Sequence, residues 1–281
     1  MPEGWFTEAR REFHASLLAG SLTRNDKGIP SNADSSSRPS INIATTMLEL
    51  LGPSKTAPKL SGQTAGARFE TLCEAFLRVS FKHMEHLRPG QFFVLKGPSI
   101  AEFEQYAHLA SLEDIADQNR EVAIALGSDY LIKPDVIIAR KPEDDSVINA
   151  HETLVDMETA RLTSLREVNQ RQNILHASVS CKWTMRSDRA QNARSEGLNL
   201  VRNRKGRLPH VVVTTAEPLP SRLASLALGT GDIDCVYHFA LHELREALRI
   251  LGREESTEQI DGMVEGKRLR DISDLPLDLV T

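Results

Sequence analysis

Paired cysteines, long apolar runs and an excess of positive charge are all missing from this chain of 281 residues. Its three cysteines, at 73, 181 and 235, lie far apart and form no paired spacing. That argues against a disulfide framework and a cysteine-built zinc site, and it suits a reducing cytoplasm. No run approaches ~18 apolar residues, so nothing reads as a membrane span. The opening stretch MPEGWFTEARREF lacks the apolar segment of a secretory signal. The formal charge is −5 with a pI near 6.0, a balance that does not itself suggest a nucleic-acid partner. Net charge is an average, however, and binding depends on where the charge lies. With 40% hydrophobic and 26% charged residues, the composition is that of an ordinary globular protein, long enough for one large domain or two small ones.

Along the chain, residues 1–20 read as a short helix with Phe6, Phe13, Leu17 and Leu18 near helical spacing. Residues 21–40 are polar and rich in Ser, Asn, Gly and Pro, which predicts a loop or arm ordered by a partner. A short helix follows at 41–51. A longer one is expected from Ala65, with Phe69, Cys73, Phe76, Leu77, Ser80, Met84 and Leu87 on one face and Glu70 off it. Another helix is expected across 101–126. Strands are expected in DYLIKPDVIIAR (129–140), ILHASVSCKW (174–183), HVVVTTA (210–216) and IDCVYHFA (233–240). The segment 141–172 reads as a loop with a short helix, and 190–204 as a helix. The end, 241–281, reads as a helix and an acidic tail. Alternating strands and helices predict an α/β fold, a mixed central sheet flanked by helices. No internal repeat or linker is evident, so residues 1–281 are expected to form a single domain.

Two positions carry chemistry. Asp135 follows Pro134 and interrupts an apolar strand. A carboxylate there must lie at an edge, be paired, or hold a metal; the bland reading is a strand-edge turn. In the strand ending at Lys182, side chains alternate, so Ser178, Ser180 and Lys182 share one face and Cys181 points to the other. Lys182 alone could simply reach for water. Together, an Asp and a Lys on neighbouring strands can meet at one sheet edge. Such a pair suits phosphodiester hydrolysis: the carboxylate holds a hard divalent cation, and the ammonium handles the attacking water and the developing charge.

Residues 181–207 hold eight Lys or Arg and only two acids, Asp188 and Glu196. Arg186 and Arg189 flank Asp188. Arginine forks onto guanine O6 and N7, and an acid accepts from cytosine N4, so the cluster is suited to adjacent G·C pairs. Arg194, Arg202, Arg204, Lys205 and Arg207 are expected to meet phosphates, which position without specifying; a solvated helix face is the alternative for each.

Nucleases of the PD-(D/E)xK type usually carry an acid two residues before the Lys. Here that slot is Ser180. Glu196, on the following helix, is the natural substitute unless it is a solvated helix Glu. Glu70 is a fourth candidate unless it is a favourable acid at a helix start. The spacing Pro134-Asp135, Lys182, Glu196 resembles the displaced-carboxylate pattern of type II restriction endonucleases that cut at a CCGG core, the NgoMIV type. The segments SNAD (31–34), GQT (62–64), GSDY (127–130), 180–210 and 227–241 carry the likeness over nearly the whole chain, least at 88–126 and 141–172. The resemblance implies a PD-(D/E)xK restriction-endonuclease-like fold and Mg²⁺ held by Asp135, Glu70, Glu196 and the Cys181 backbone carbonyl. It assigns Arg186, Asp188 and Arg189 to the central CCGG, Asp34 to the outer base pair and Gln63 to the minor groove, which makes the full site GCCGGC. It further implies a homotetramer on double-stranded DNA, in a bacterial cytoplasm, with no organic cofactor and no membrane. A palindromic target alone requires at least a dimer.

Two other readings stand beside this one. A catalytically silent DNA-binding protein would not need the acid–Lys–acid set. A structure-selective DNA nuclease would not need Arg186, Asp188 and Arg189. His151-Glu152 begins a zinc-protease motif that fails at Val155, and the turn at 229–232 lacks the third glycine of a dinucleotide fingerprint. His176 and His238 are expected to be satisfied core histidines.

Overall fold

The Val- and Ile-rich runs form the middle of one sheet: β2 (Val136–Arg140), β3 (Ile174–Lys182), β4 (His210–Thr215) and β5 (Cys235–His238). Two strands without a clear sequence pattern complete it, β1 (Phe92–Lys96) and β6 (Leu269–Asp271). The order is β1-β2-β3-β4-β5-β6. The pairs β1–β2 and β2–β3 are antiparallel, and β3 through β6 are parallel, so the sheet is mixed as expected. The computed structural model describes residues 2–58, 60–126, 131–185, 187–229 and 231–281, with 123, 125, 126 and 187–189 described by backbone alone.

Parallel neighbours need a crossover, and helices supply it. The helices are α1 (Trp5–Gly20), α2 (Arg38–Leu51), α3 (Gly62–His83), α4 (His108–Gln118), α5 (Arg120–Leu126), α6 (Asp145–Ile148), α7 (Ser187–Asn203), α8 (Pro220–Ala227), α9 (Leu241–Ile250), α10 (Glu254–Glu265) and α11 (Leu275–Asp278). Thus α7 links β3 to β4, and α8 links β4 to β5. Ser37 and Ser61 cap α2 and α3 by accepting the amides of Ser40 and Thr64, which satisfies helix donors that have no partner within the helix. Among the described residues no helix is long and apolar enough to cross a membrane.

Strand alternation divides the apolar residues between two faces. Val136, Ile138, Ala177, Val179 and Cys181 share a core with Phe69, Cys73, Phe76 and Leu77 of α3. Ile137, Ala139 and Leu175 pack on the other side with Phe103, Tyr106, Leu109 and Leu200.

Several expectations are corrected. The helix across 101–126 is broken: Ile100–Glu102 and Glu104–Tyr106 are 3-10 turns, and α4 stops at Asn119. Asn119 adopts an extended backbone, and its side chain accepts from the amides of Glu121 and Val122, so a second helix starts there. Leu87, expected on the buried face of α3, lies beyond the helix and is exposed. The strand around Asp135 begins only at Val136. The polar stretch 21–40 is not a loose arm. Ser21, Leu22, Thr23, Ser31, Asn32 and Ala33 are buried. Asn32 Nδ2 donates to Ala216 O at 3.0 Å, which docks the segment on the end of β4. The acidic tail is also folded, with Ile260, Met263, Leu269, Ile272, Leu275 and Leu279 in the core. Buried Asp271 of β6 receives Arg10 Nε at 2.8 Å, and the same guanidinium reaches Glu243.

Candidate active site

Asp135 leads into β2 and Lys182 ends the adjacent β3, so the antiparallel register sets them side by side. Val136 pairs with Val179 across the two strands. Asp135 Oδ2 accepts the Cys181 amide at 2.7 Å and stands 3.3 Å from Lys182 Nζ. The amide bond fixes the carboxylate independently of the Lys. Ser178 and Ser180 lie on the Lys182 face, and Cys181 turns the other way beside Cys73 and Thr214, as the alternation predicts.

Glu196 joins them from α7. Its Oε1 is 3.7 Å from Lys182 Nζ, and its Oε2 accepts Ser180 Oγ at 2.9 Å. One ammonium therefore sits between two carboxylates remote in the chain. Burial works against the charge on Lys182, but Asp135 and Glu196 outweigh it and hold the pKa above its ordinary value. The neighbouring Gly197 lets α7 approach closely, since a Cβ there would stand 2.7 Å from Asp232 O and 3.3 Å from Val211 Cγ1.

Glu70 is at the same end of the sheet but has a different partner. It lies two turns inside α3, so an acid at a helix start does not describe it. Lys96 Nζ sits 3.3 Å from its Oε2, and Lys96 pairs in register with Val136, the residue after Asp135. Sequence patterning did not single out Lys96, because β1 itself was not evident.

Oxygen donors dominate this corner. Among the described residues no group of three or more His, Cys, Asp or Glu is poised to hold a metal. Asp135 and Glu196, on either side of Lys182, form a sparse set of hard donors. That fits Mg²⁺, which takes one or two carboxylates and retains several waters.

Asp34 and Gln63, expected at the outer base pair and the minor groove, lie together. A hollow of about 410 Å³ is lined by Asp34, Gln63, Trp183, Thr184 and Arg222, immediately beyond Lys182. Asp34 accepts from the amide and hydroxyl of Ser36 at 3.0 and 2.6 Å and pairs with Arg222 at 2.5 Å. The Ser36 and Arg222 bonds hold its carboxyl well below the usual carboxylate range. Arg222, which the sequence did not mark, is the cation lining this hollow among the described residues. Arg186 and the side chains of Asp188 and Arg189 lie outside the described residues; the backbone places 187–189 at the start of α7, on the site end of the sheet.

The residues expected at phosphates are spread along and just beyond α7. Because α7 is a crossover, it runs from the site end of the sheet to the opposite end. Lys205 N bonds Gln105 O, and Gln105 in turn bonds Leu175 near the start of β3. That is about 20 Å along the strand from Lys182. Arg202, Arg204, Lys205 and Arg207 gather at this far end, where Arg207 lies near His176 and His210. Arg204, just past α7, donates to Val201 O of that helix. Arg194 donates to Ser225 O and packs on Gly229, bracing α7 against α8. The two histidines expected in the core are satisfied: His238 is buried with Nε2 3.2 Å from Glu217 O, and His176 Nε2 is 2.6 Å from Leu279 O.

This geometry can be set beside known proteins. The family model described as NgoMIV restriction enzyme matches residues 13–281. The type II restriction enzyme NgoMIV of Neisseria gonorrhoeae is 54% identical over 280 residues, covering 98% of each chain. At that identity and coverage, with the Asp, Lys and Glu gathered at one sheet edge, the chain belongs to the NgoMIV restriction enzyme family and is a type II restriction endonuclease.

Proposed function

We propose that the chain makes Mg²⁺-dependent double-strand cuts at a palindromic CCGG-core site, GCCGGC. The observation that carries the metal-dependent chemistry is the meeting of Asp135 and Glu196 on either side of the Lys182 ammonium. Asp135, Glu196 and the Cys181 carbonyl would hold the ion, with Glu70 of α3, paired to Lys96 beside Val136, as a further acid of its surroundings. An ion held there would supply Lewis acidity to activate water and to offset charge on the phosphate. Lys182, 3.3 Å from Asp135 and 3.7 Å from Glu196, would orient the water and face the charge that develops on the phosphoryl oxygens. Ser180 holds Glu196 in place of the acid usual at its position. No side-chain nucleophile is needed; water attacks.

Recognition rests on Arg186, Asp188 and Arg189 for the central pairs, with Asp34 and Gln63 for the outer pair and minor groove. The sharing of one hollow by Asp34 and Gln63 supports this division. Residues 1–281 act as one endonuclease domain in a bacterial cytoplasm. The palindrome requires two copies, and a tetramer is supported by residues 147–168. There Arg166 is buried and pins the segment through Asp145, while Val147, Leu154, Met157, Leu162 and Val168 project outward, Leu162 at 96% exposure. An ordered projection bearing apolar side chains is a surface for another copy.

A plasmid carrying GCCGGC, a plasmid lacking it and the Lys182→Ala variant test the reading together. Cutting should need both the site and Mg²⁺, and Lys182→Ala should abolish it while binding stays measurable. Cutting of the site-free plasmid at the same rate, or full turnover by Lys182→Ala, would refute it.

A further inference from the structure

Glu217 is a carboxylate that the chemistry above leaves unused. It lies two residues beyond β4 and is fully buried. Burying an acid is costly unless its bonds are satisfied, so its partners define what it holds. Glu217 Oε2 accepts the Met185 amide at 2.7 Å, and Oε1 accepts the Leu219 amide at 3.1 Å. Arg222 Nη1 stands 3.6 Å from the same Oε2, while Arg222 Nη2 binds Asp34. The Glu217 backbone is itself anchored, its amide donating to Thr215 Oγ1 at 3.2 Å. Burial pushes the carboxyl up, and the two amides and Arg222 act against that shift.

Its two amide partners occupy informative places. Met185 immediately precedes the Arg186-Ser187-Asp188-Arg189 stretch. Leu219 is the cap of α8, the helix that carries Arg222. We propose that Glu217 is a positioning residue for base recognition: it fixes the entry to residues 186–189 and, through Arg222, the carboxylate of Asp34. Inner and outer base reading then share one buried anchor. The inference rests on the reading above that these residues face bases.

Replacing the carboxylate by an amide, Glu217→Gln, would keep one acceptor, lose the charge opposite Arg222, and turn NH₂ toward a backbone N–H. The full-length parent, Glu217→Gln, Asp34→Ala and Arg222→Met are compared by equilibrium binding in Ca²⁺, which takes the place of Mg²⁺. Three duplexes are used: GCCGGC, ACCGGT and one without CCGG. Glu217→Gln should weaken binding to GCCGGC by about ten-fold or more, a loss of the size of one base contact. It should leave the CCGG-free duplex unaffected and narrow discrimination at inner and outer pairs together. Asp34→Ala and Arg222→Met should narrow the outer ratio alone. Unchanged ratios in Glu217→Gln, or equal weakening on all three duplexes, would overturn the proposal. So would an unchanged outer ratio in Arg222→Met, a variant that leaves the buried carboxylate in place. A parent that fails to prefer GCCGGC would instead sink the recognition reading, and a thermal melt of each variant reports folding separately.

Discussion

Ser180 Oγ donates a 2.9 Å hydrogen bond to Glu196 Oε2. The hydroxyl two residues before Lys182 thus orients the Glu196 carboxylate of α7, the acid proposed to serve the site. Hydrogen bonds to charged groups contribute about 1.5–3 kcal/mol. Ser180→Ala should therefore slow single-turnover cleavage by about ten-fold or more, with binding in Ca²⁺ little changed. An unaltered cleavage rate would show that Glu196 holds its place without Ser180.

Gly197 should tolerate no side chain. A Cβ would stand 2.7 Å from the carbonyl of Asp232, a backbone atom that cannot swing aside. Gly197→Ala should shift α7, move Glu196 away from Lys182 and cost about 1–3 kcal/mol of stability. Gly262 of α10 has open space around it and serves as control, since Gly262→Ala should be neutral or slightly stabilising. Thermal melts and cleavage rates of the two variants check the contrast.

The far end of α7 makes a prediction about salt. A lysine or arginine on a DNA phosphate contributes about one unit to the slope of log K against log salt. Arg207 belongs to the opposite end of the sheet, beside His176 and His210. Arg207→Ala should leave the slope for a GCCGGC duplex unchanged. A slope shallower by about one unit would place Arg207 on the backbone after all.

Acid should loosen the C-terminal segment. Burial would raise the Asp271 carboxyl, but Arg10 and Ser273 overcome it and hold the pKa at about 2, below the ordinary 3.8. A depressed pKa means that the stabilisation is complete above the unfolded value and is lost as pH falls through the folded one. The window is roughly pH 4 to 2, and the loss about 2 kcal/mol. Arg10→Met leaves Asp271 buried without its partner. In that variant, urea melts at pH 7 should show a large loss of stability, and the acid limb should move to higher pH.

The central strands were legible because Val and Ile mark them without tertiary help, and alternation along 174–182 correctly turned Cys181 away from Lys182. Asp135, Lys182 and Glu196 could be proposed from spacing and resemblance. Their meeting depends on the register Val136–Val179 and on the crossover of α7, neither of which leaves a local signal. Arg222, Lys96 and Glu217 went unmarked for the same reason: each matters through a partner remote in sequence. The basic run showed its charge only along the chain; that α7 spreads it from the site end of the sheet to the opposite end follows from the crossover, which leaves no local signal. The polar stretch 21–40 is a loop up to residue 37, as its composition suggests; that it needs no partner to be ordered was not legible, because its side chains bond backbone within the fold, as Asn32 does to Ala216.

The three thiols are sealed inside the protein. Cys73, Cys181 and Cys235 are all buried and unbridged, and burial raises the thiols of Cys181 and Cys235, the latter to about 11. Since the thiolate is the reactive form, a native molecule shelters all three from alkylating reagents. Labelling with iodoacetamide therefore becomes a clock for opening of the interior, ticking at positions on α3, β3 and β5 without any engineered probe.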